Sequence, residues 1–366
     1  MGLRFSIKVA ALAAAMVFSV TAGAADIVVG SWNIKRLGHG DQQSYPALAE
    51  VARNVDLLAV QEVMTTEGID RLEAALEKAT GEPWSQIASH AIGSKRYKEL
   101  YAFLWRDATV EYVDGAVVYL DRGDRFIREP FSARFASRRD GTQLALATVH
   151  ILYGKGEGDR TPEIRALADH WEWLGEVYPG APRMLVGDFN LRPDHQAWAP
   201  LKQHARPLIT SGATTLSSKD GRFVNLFDNI WIERNSTLQL GRAGVIDFPR
   251  LIGWNHEKSR KHVSDHAPVY VELGNAKLAL SAHREAISEV SVGARQAAFA
   301  VPAIATRVVA QESAADGGSV RGNKNSRIYH RPDCPSYDQI AAKNRVEFPS
   351  AAAATAEGYR IAGNCR

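Results

Sequence analysis

The sequence contains few cysteines: there are two among 366 residues, and both lie within the last 33 positions. Disulfide bonds within the segment before Cys334 are therefore excluded, so a hydrophobic core must stabilise that segment. Neither sign of charge dominates, because 44 lysines and arginines face 41 aspartates and glutamates. This balance gives no strong overall attraction to nucleic acid, and any surface that binds it must be local.

Long apolar segments are missing after residue 24, so the sequence predicts no stable insertion into a membrane. Residues 1–24 have the pattern of a signal peptide, since Arg4 and Lys8 precede an apolar run that ends in small residues. No cysteine lies near the cleavage point, which argues against a lipid anchor. We expect an exported protein, periplasmic or extracellular, whose formal charge falls from +3 to +1 when residues 1–24 are removed.

Short apolar segments recur along the first 275 residues and predict strands with helices between them. The clearest helix is predicted to begin at Thr161-Pro162, with Ile164, Leu167, Trp171 and Leu174 on one buried face. This mixture, with 45% hydrophobic residues, predicts a large α/β domain and a smaller second one. The predicted strands are 27–34, 57–61, 101–105, 116–120, 144–150, 184–188, 229–232 and 269–272.

Polar side chains lie at the ends of many predicted strands. Each one alone is more often a turn or capping residue than a catalytic group. Strand ends at one edge of a sheet are nevertheless where functional sites usually form, and this set combines carboxylates, amides and two imidazoles. The residues are Asn33, Glu62, His150, Asp188, Asn190, Asp228, Asp265 and His266.

Taken in order, these motifs resemble the endonuclease/exonuclease/phosphatase superfamily. The stretches YKELYAFLWR at 97–106 and REPFSARF at 128–135 are similar to the deoxyribonuclease I-like branch. The resemblance covers roughly residues 26–274. It implies a four-layer α/β/β/α sandwich and hydrolysis of phosphoesters with the help of a divalent cation.

The resemblance also implies roles for individual residues. Glu62 is expected to anchor Mg²⁺ or Mn²⁺, with Asn33 and Asp265 in or beside its shell, because these cations prefer oxygen ligands. Two dyads, His266 with Asp228 and His150 with Glu99, are expected to flank the scissile phosphate, while Asp188 and Asn190 orient the phosphate and the nucleophile. The sequence does not show which histidine is the base; we favour His266 as the base and His150 as the acid.

Contacts with DNA are implied for two groups of residues. Tyr97 and Arg128 match positions that touch the DNA backbone and sugar in the deoxyribonuclease I-like branch, whereas Met64 replaces an arginine that reaches into the minor groove. A local basic run, Lys258 with Arg260 and Lys261, leads directly to the Asp265-His266 pair. Such a run is often only a solvated loop, but its position favours contact with phosphates.

The C-terminal part divides into an alanine-rich linker, 275–319, and a small α+β module, 320–366. The module resembles the small metal-binding domain of the Ada DNA-methylation repair protein. His330 and Ala362 replace two of the four cysteine ligands in that pattern, so a Cys334–Cys365 disulfide is favoured over a zinc site. The module has eight basic and four acidic residues and could tether DNA or serve only as a structural cap.

The sequence therefore predicts an exported, metal-dependent endonuclease, with residues 26–274 as its catalytic domain. Its partner is expected to be DNA, with RNA as a second candidate, and protein partners cannot be inferred. Two alternatives stay open: a secreted phosphodiesterase or phosphatase that acts on lipid or inositol headgroups, and a catalytically silent nucleic-acid-binding protein. Each position at which the resemblance implies a catalytic residue carries the expected residue type, which argues against the silent protein.

Overall fold

The computed structural model describes residues 25–279, the backbone of 287–290 and, near the C-terminus, residues 319–324, 328–332, 337 and 345–361. The predicted signal peptide, most of the predicted linker and both cysteines lie outside these described residues. The chain divides into two compact units, Met1–Arg295 and Gln296–Arg366.

The first unit contains two β-sheets. The first sheet consists of β1 (Val28–Leu37), β2 (Leu57–Val63), β3 (Trp84–Ala88), β4 (Ile92–Gly93), β5 (Lys98–Arg106), β12 (Leu240–Ile246), β13 (Val269–Leu273) and β14 (Ile287–Val290). The second consists of β6 (Val110–Val118), β7 (Phe131–Ser137), β8 (Gln143–His150), β9 (Arg183–Asp188), β10 (Ala205–Pro207) and β11 (Asp228–Glu233). The first sheet has the order β14-β12-β13-β1-β2-β5-β3, with β4 paired to β5, and the second has the order β10-β11-β9-β8-β7-β6.

Helices cover the outer faces of the two sheets. The helices of this unit are α1 (Tyr45–Ala52), α2 (Thr66–Thr80), α3 (Glu157–Val177), α4 (Phe248–Leu251) and α5 (His256–His262), with one-turn 3₁₀ helices at Gln196–Trp198 and Leu201–Gln203. Leu48 of α1 and Leu72 of α2 belong to the core of the first sheet, and Leu167 of α3 packs against the second sheet. No helix of the described residues is long and apolar enough to cross a membrane.

Strand β8 shows why the layers form. Leu144 and Leu146 lie in the core between the sheets, whereas Ala145 and Ala147 lie in the core under α3. Successive side chains of a strand point to opposite faces, so a strand that is apolar at every position requires cover on both sides. The predicted four-layer α/β/β/α sandwich is confirmed.

Several predicted boundaries differ from the observed ones. Helix α3 begins at Glu157, a turn before the predicted start, and Pro162 lies inside it. Gly156 is the extended N-cap residue, and acidic residues at 157 and 159 favour the positive end of the helix dipole. Strands β3, β4, β7, β10 and β12 were not predicted. Strand β12 contains Gly241 and Gly244, which lower strand propensity.

The segment predicted as a linker contributes to the first sheet. Strand β14 lies within 275–319 and pairs antiparallel with β12. The sheet therefore extends beyond residue 274, where the resemblance ends.

The described part of the second unit contains β15 (Val320–Asn323), β16 (Ile328–His330), β17 (Arg345–Phe348), α6 (Ala351–Ala356) and β18 (Arg360–Ile361). The strands form a sheet in the order β17-β15-β16-β18, and a small core lies around Tyr329, Phe348 and Tyr359.

Candidate active site

The register of three adjacent strands places the predicted polar residues side by side. His150 at the end of β8 pairs with Asp188 at the end of β9, and Asp188 pairs with Asp228 at the start of β11. In the first sheet, Asn33 of β1 pairs with Gln61 of β2, next to Glu62. The same edge of both sheets therefore carries the candidate site.

Close packing before Asp188 depends on a glycine. Gly187 has φ +141°, and a Cβ atom there would overlap the carbonyl oxygen of Val149. Glycine adopts this conformation without steric cost, whereas other residues are strained. The Gly-Asp-Phe-Asn sequence thus brings β9 close to β8 just before the two polar residues.

Two histidine–carboxylate dyads are present, as the resemblance implied. Nδ1 of His150 lies 2.8 Å from Oε1 of Glu99, and Nδ1 of His266 lies 2.8 Å from Oδ2 of Asp228. Each carboxylate orients its imidazole and directs Nε2 away from itself. Glu99 and Asp228 are almost fully buried, so neither bond competes freely with water.

Asp188 lies between the dyads. Its Oδ2 atom is 3.7 Å from Nε2 of His150 and 3.7 Å from Nε2 of His266. Oδ1 accepts a hydrogen bond from the backbone N–H of Asn190 at 2.9 Å. The two imidazoles therefore face one carboxylate from two directions.

The charges of this cluster shift the titration of its members. Burial disfavours the imidazolium of His266, but Asp228 and Asp188 outweigh burial and raise its pKa to about 10. Burial and Arg128 oppose protonation of His150, yet Glu99, with a smaller effect of Asp188, outweighs both and raises the pKa of His150. Burial disfavours ionisation of Glu99, but His150 and Arg128 hold the pKa of that carboxyl below its ordinary value.

Glu62 and Asn33 form the second part of the site. Nδ2 of Asn33 donates to Oε1 of Glu62 at 3.0 Å and to Oδ2 of Asp188 at 3.1 Å. Because both acceptors are carboxylates, the amide orientation is fixed, and Oδ1 is left buried without a hydrogen-bond partner among the described residues. Glu62 has φ +60°, and its Oε2 accepts from the backbone N–H of Arg36.

These oxygens fit a hard divalent cation. Carboxylate and amide oxygens are the ligands that Mg²⁺ or Mn²⁺ prefers, and Oδ1 of Asn33 has no other partner among the described residues. Asp265 lines the same cavity as Glu62, but it contacts Lys35 at 3.7 Å and Arg260 at 3.0 Å. The structure thus brings Glu62 together with Asn33, and it pairs Asp265 with two cations.

Another group of potential ligands lies nearby: Asp188, Asp228 and His266 offer atoms within 4.8 Å of one another. Nδ1 of His266 is already engaged by Asp228, and the raised pKa favours the imidazolium, which cannot bind a metal. This group therefore fits proton transfer better than metal binding.

The two residues predicted to touch the DNA backbone and sugar, Tyr97 and Arg128, differ in their surroundings. The hydroxyl of Tyr97 contacts Sδ of Met64 at 3.7 Å, and burial raises the Tyr97 pKa. Arg128 is only 6% exposed, and its Nε donates to the carbonyl oxygen of His150 at 2.9 Å. Arg128 thus supports the His150 dyad from inside the protein, a position that does not fit direct contact with DNA.

The basic run lies on α5, beside the site. Arg260 donates to the carbonyl oxygen of Leu216 and to Asp265, so part of its role is structural. Nζ of Lys258 lies 3.8 Å from the centre of the Trp254 ring. Lys261 and Arg260 line a cavity of about 470 Å³ together with Lys35 and Lys219.

Several supporting residues had not been predicted. Ser264 donates to the carbonyl oxygen of Asn33 at 2.6 Å and accepts from the N–H of His266 at 3.0 Å. Trp32 donates to the carbonyl oxygen of His266, and buried Gln61 joins the two sheets through Ser31 and Thr148. Ser264 adjoins the Asp265-His266 motif, so proximity was the one signal available in the sequence.

Comparisons with known proteins show which family the chain is similar to. Residues 30–266 match the model of the Endonuclease/Exonuclease/phosphatase family, and residues 300–361 match a model described as ArfC. A protein named Deoxyribonuclease from Thioalkalivibrio sp. (strain K90mix) is 51% identical over 259 residues, which are 69% of this chain and 72% of that protein. Human Deoxyribonuclease-1-like 2 is 27% identical, over 72% of this chain and 97% of the relative.

Solved structures support the fold. A mannosyl-6-phosphatase from Bacteroides thetaiotaomicron VPI-5482 has a TM-score of 0.51 and 18% identity, covering 68% of this chain and 99% of that one. An endonuclease/exonuclease/phosphatase family protein from Bacteroides thetaiotaomicron has the same score and identity, over 68% and 97%. At this identity the likeness concerns the fold alone.

Proposed function

We propose that this chain, which belongs to the endonuclease/exonuclease/phosphatase family, is a metal-dependent endonuclease that hydrolyses phosphodiester bonds of DNA with little sequence specificity. The single observation that carries this proposal is the placement of Nε2 of both His150 and His266 3.7 Å from Oδ2 of Asp188. The choice of DNA is supported by the relative named Deoxyribonuclease, which shares 51% of aligned residues. RNA is a second polynucleotide that the same chemistry could cleave.

Glu62 and Asn33 would hold the divalent cation, with Asp265 beside them. When bound, such a cation supplies positive charge that stabilises the charge developing on the phosphoryl group. Asp265 is available for this role if Lys35 or Arg260 turns towards the phosphate, because both now contact its carboxylate. The sandwich contributes a rigid frame, since Glu62 is fixed by the Asn33 amide and the Arg36 N–H.

The dyads would divide the proton transfers of hydrolysis between them. We assign His266 as the base that takes a proton from water and His150 as the acid that protonates the leaving oxygen. Asp228 and Glu99 hold the respective imidazoles by their Nδ1 atoms. Positive charge at the Glu62 site would lower the pKa of His266 and so favour the neutral ring that a base requires.

Asp188 and Asn190 would orient the reacting groups. Asn190 has φ +50° and is held by two hydrogen bonds, from its N–H to Asp188 and from Nδ2 to the carbonyl oxygen of Ile151. Residues in this uncommon conformation persist where surrounding contacts fix them, as at many functional sites. The attacking water would lie within reach of Asp188 and His266.

The basic helix α5 would bind the phosphate backbone beside the scissile bond. Lys258, Arg260 and Lys261 follow one another on a helix of seven residues next to the catalytic cavity. Contacts with phosphates position DNA without reading its sequence, which fits low sequence specificity. Tyr97 would touch the sugar or backbone, and Arg128 would act indirectly through Glu99.

Export to the periplasm or the extracellular medium is also part of this proposal. It is supported by the signal-peptide pattern of residues 1–24.

The C-terminal module, with four more basic than acidic residues, would raise the local DNA concentration near the catalytic domain. Removal of residues 320–366 should then weaken DNA binding and lower its salt dependence, whereas a structural cap would leave both unchanged.

The test uses purified mature protein and supercoiled plasmid. We expect conversion to nicked circles in Mg²⁺ and none after EDTA, with slower or no hydrolysis of sphingomyelin under the same conditions. Parallel reactions with single-stranded DNA and RNA define the polynucleotide preference. Hydrolysis of sphingomyelin without plasmid nicking would overturn the proposal in favour of a lipid phosphodiesterase.

A further inference from the structure

An exposed aromatic ring lies at the rim of the catalytic cavity. Tyr153 is 58% exposed and lines the cavity of about 610 Å³ that also contains His150, Asp188 and His266. Phe227 and Val224 extend the same apolar wall. The other residues that line the cavity are mostly polar or charged, so this wall is the part of the site that suits an apolar ligand surface.

A buried arginine packs against one face of the Tyr153 ring. The guanidinium carbon of Arg160 lies 4.3 Å from the centre of the Tyr153 ring and 5.4 Å from that of Phe227. Arg160 is only 6% exposed and also donates to the carbonyl oxygens of Tyr153 and Asn190. One face of the ring is therefore covered by a cation, and the opposite face remains open.

Phe227 fixes the edge of the ring. The two ring centres are 6.4 Å apart at an interplanar angle of 64°, an edge-to-face arrangement. Phe227 directly precedes Asp228, the partner of His266, and is 9% exposed. The aromatic wall is thus built on the same segments that carry the two dyads.

The loop that carries Tyr153 is tied down along its length. The N–H of Leu152 donates to buried Glu163, the N–H of Lys155 donates to Asp159, and the carbonyl oxygen of Ile151 accepts from Asn190. An exposed side chain on a loop normally loses conformational freedom when a ligand binds. Here the loss of conformational entropy on binding is smaller, because contacts within the protein already hold the loop and the ring.

We infer that the open face of Tyr153 stacks on a nucleobase next to the scissile phosphate. A planar base is the part of a polynucleotide that matches a flat, exposed aromatic face, whereas phosphate and sugar suit the charged remainder of the cavity. A base inside a duplex has both faces covered by its neighbours, so this subsite takes a base that has left its stack. The inference rests on the proposed function and adds a substrate-binding residue to it.

The experiment compares enzyme variants on intact and abasic substrates. Single-stranded oligonucleotides carry one hydrolysable phosphodiester, with methylphosphonates elsewhere, and the nucleosides on its 5′ and 3′ sides are replaced in turn by an abasic residue. For the wild type, loss of the stacked base should lower kcat/KM about tenfold, because the contact between the base and the aromatic ring is lost. Tyr153→Ala should lose a similar factor on the intact substrate and show no further loss on the abasic one.

Other variants separate stacking from support of the loop. Tyr153→Trp and Tyr153→Phe should retain the sensitivity to the missing base, whereas Tyr153→Leu, which has no π face, should lose it. Leu120→Ala is a matched control, since Leu120 is 73% exposed and does not line the cavity. It should behave like the wild type on every substrate.

Three results would overturn the inference. Equal losses for Tyr153→Ala on intact and abasic substrates would mean that Tyr153 only supports Arg160 and the Asn190 segment. Equal cleavage of intact and abasic substrates by the wild type would remove the stacking subsite and leave the endonuclease proposal standing. No cleavage of any oligonucleotide or plasmid by the wild type would refute the proposed function, and the inference with it.

Discussion

His150 and His266 face each other across a single oxygen atom, Oδ2 of Asp188, which lies 3.7 Å from Nε2 of each ring. The two histidines lie at the edges of different sheets, since His150 ends β8 of the second sheet and His266 precedes β13 of the first. Because their Nδ1 atoms are held by Glu99 and Asp228, both Nε2 atoms are available to substrate. A phosphate bound beside Asp188 would therefore meet two imidazoles at once.

Neutralising Asp188 should weaken both dyads together. Asp188→Asn removes the negative charge that raises the pKa of both His150 and His266, so both pKa values should fall. We expect plasmid nicking to slow by about 10² or more, because the positioned carboxylate is lost. Histidine titrations by NMR and nicking rates measure the two effects.

The matched control for this change is Asp114→Asn, which neutralises a carboxylate paired with Arg134 at the edge of the second sheet. It should leave nicking and both histidine pKa values unchanged. Unaltered activity in Asp188→Asn would show that Asp188 does not contribute to the reaction.

Replacing Glu62 should raise the requirement for Mg²⁺. Glu62→Gln keeps the size of the side chain but removes the charge that attracts a hard cation, so the Mg²⁺ concentration for half-maximal nicking should rise at least about tenfold. Glu67→Gln, an exposed change in the first turn of α2, is the control and should follow the wild-type curve. Identical Mg²⁺ dependence in Glu62→Gln would place the cation elsewhere.

Removing charge from α5 should reduce the salt dependence of DNA binding. Each phosphate contact contributes about 0.9 to the slope of log affinity against log salt concentration. Lys258→Gln/Lys261→Gln should therefore lower that slope by about 1–2, and Lys78→Gln/Lys202→Gln on other helices should not. Fluorescence anisotropy with labelled duplex DNA in EDTA at several salt concentrations gives the slopes. A slope for Lys258→Gln/Lys261→Gln equal to that of the wild type would show that neither lysine contacts a phosphate.

A buried histidine outside the active site should make the protein sensitive to acid. Both ring nitrogens of His170 are buried without a hydrogen-bond partner among the described residues, and burial lowers the His170 pKa to about 3. In the unfolded chain the same group titrates near 6.5. Below that value the unfolded state binds a proton that the folded state does not, so the free energy of unfolding falls as pH decreases from 6.5 towards 3.

Between pH 7 and pH 5 this linkage should cost about 2 kcal/mol, at roughly 1.4 kcal/mol for each pH unit below 6.5. His170→Phe removes the titrating group and keeps an aromatic ring beside Tyr119 and Trp173. Urea unfolding at the two pH values should show a smaller loss for His170→Phe than for the wild type, and exposed His90→Gln should match the wild type. The same loss in all three proteins would contradict the assignment to His170.

The sequence predicted the parts of the site that lie at strand ends. An apolar run that stops at Glu62 or Asp188 marks the edge of a sheet, and such edges are where functional side chains gather. The pairing of His266 with Asp228 joins residues 38 positions apart and came from the resemblance, since spacing alone does not define it. The four-layer fold was likewise implied by the resemblance and then confirmed.

Other features depend on packing that no local pattern reveals. Arg128 is buried against Glu99 and the His150 carbonyl, although an arginine in a loop is usually exposed. The Tyr153 ring is held in place by Arg160, seven positions later, whose side chain extends from the first turn of α3 back to the Tyr153 ring and carbonyl oxygen. Helix α3 began earlier than predicted because a capping glycine and acidic first-turn residues outweighed the signal of Thr161-Pro162.

The nicking of supercoiled plasmid by His150→Ala, His266→Ala and the double variant tests the two-dyad arrangement most directly. Each single variant should lose on the order of 10²–10⁴ in rate, the usual contribution of one positioned acid or base. The double variant should lose less than the product of the two factors, because residues that act as a unit are not additive. Nicking within threefold of the wild-type rate in both single variants would contradict the account.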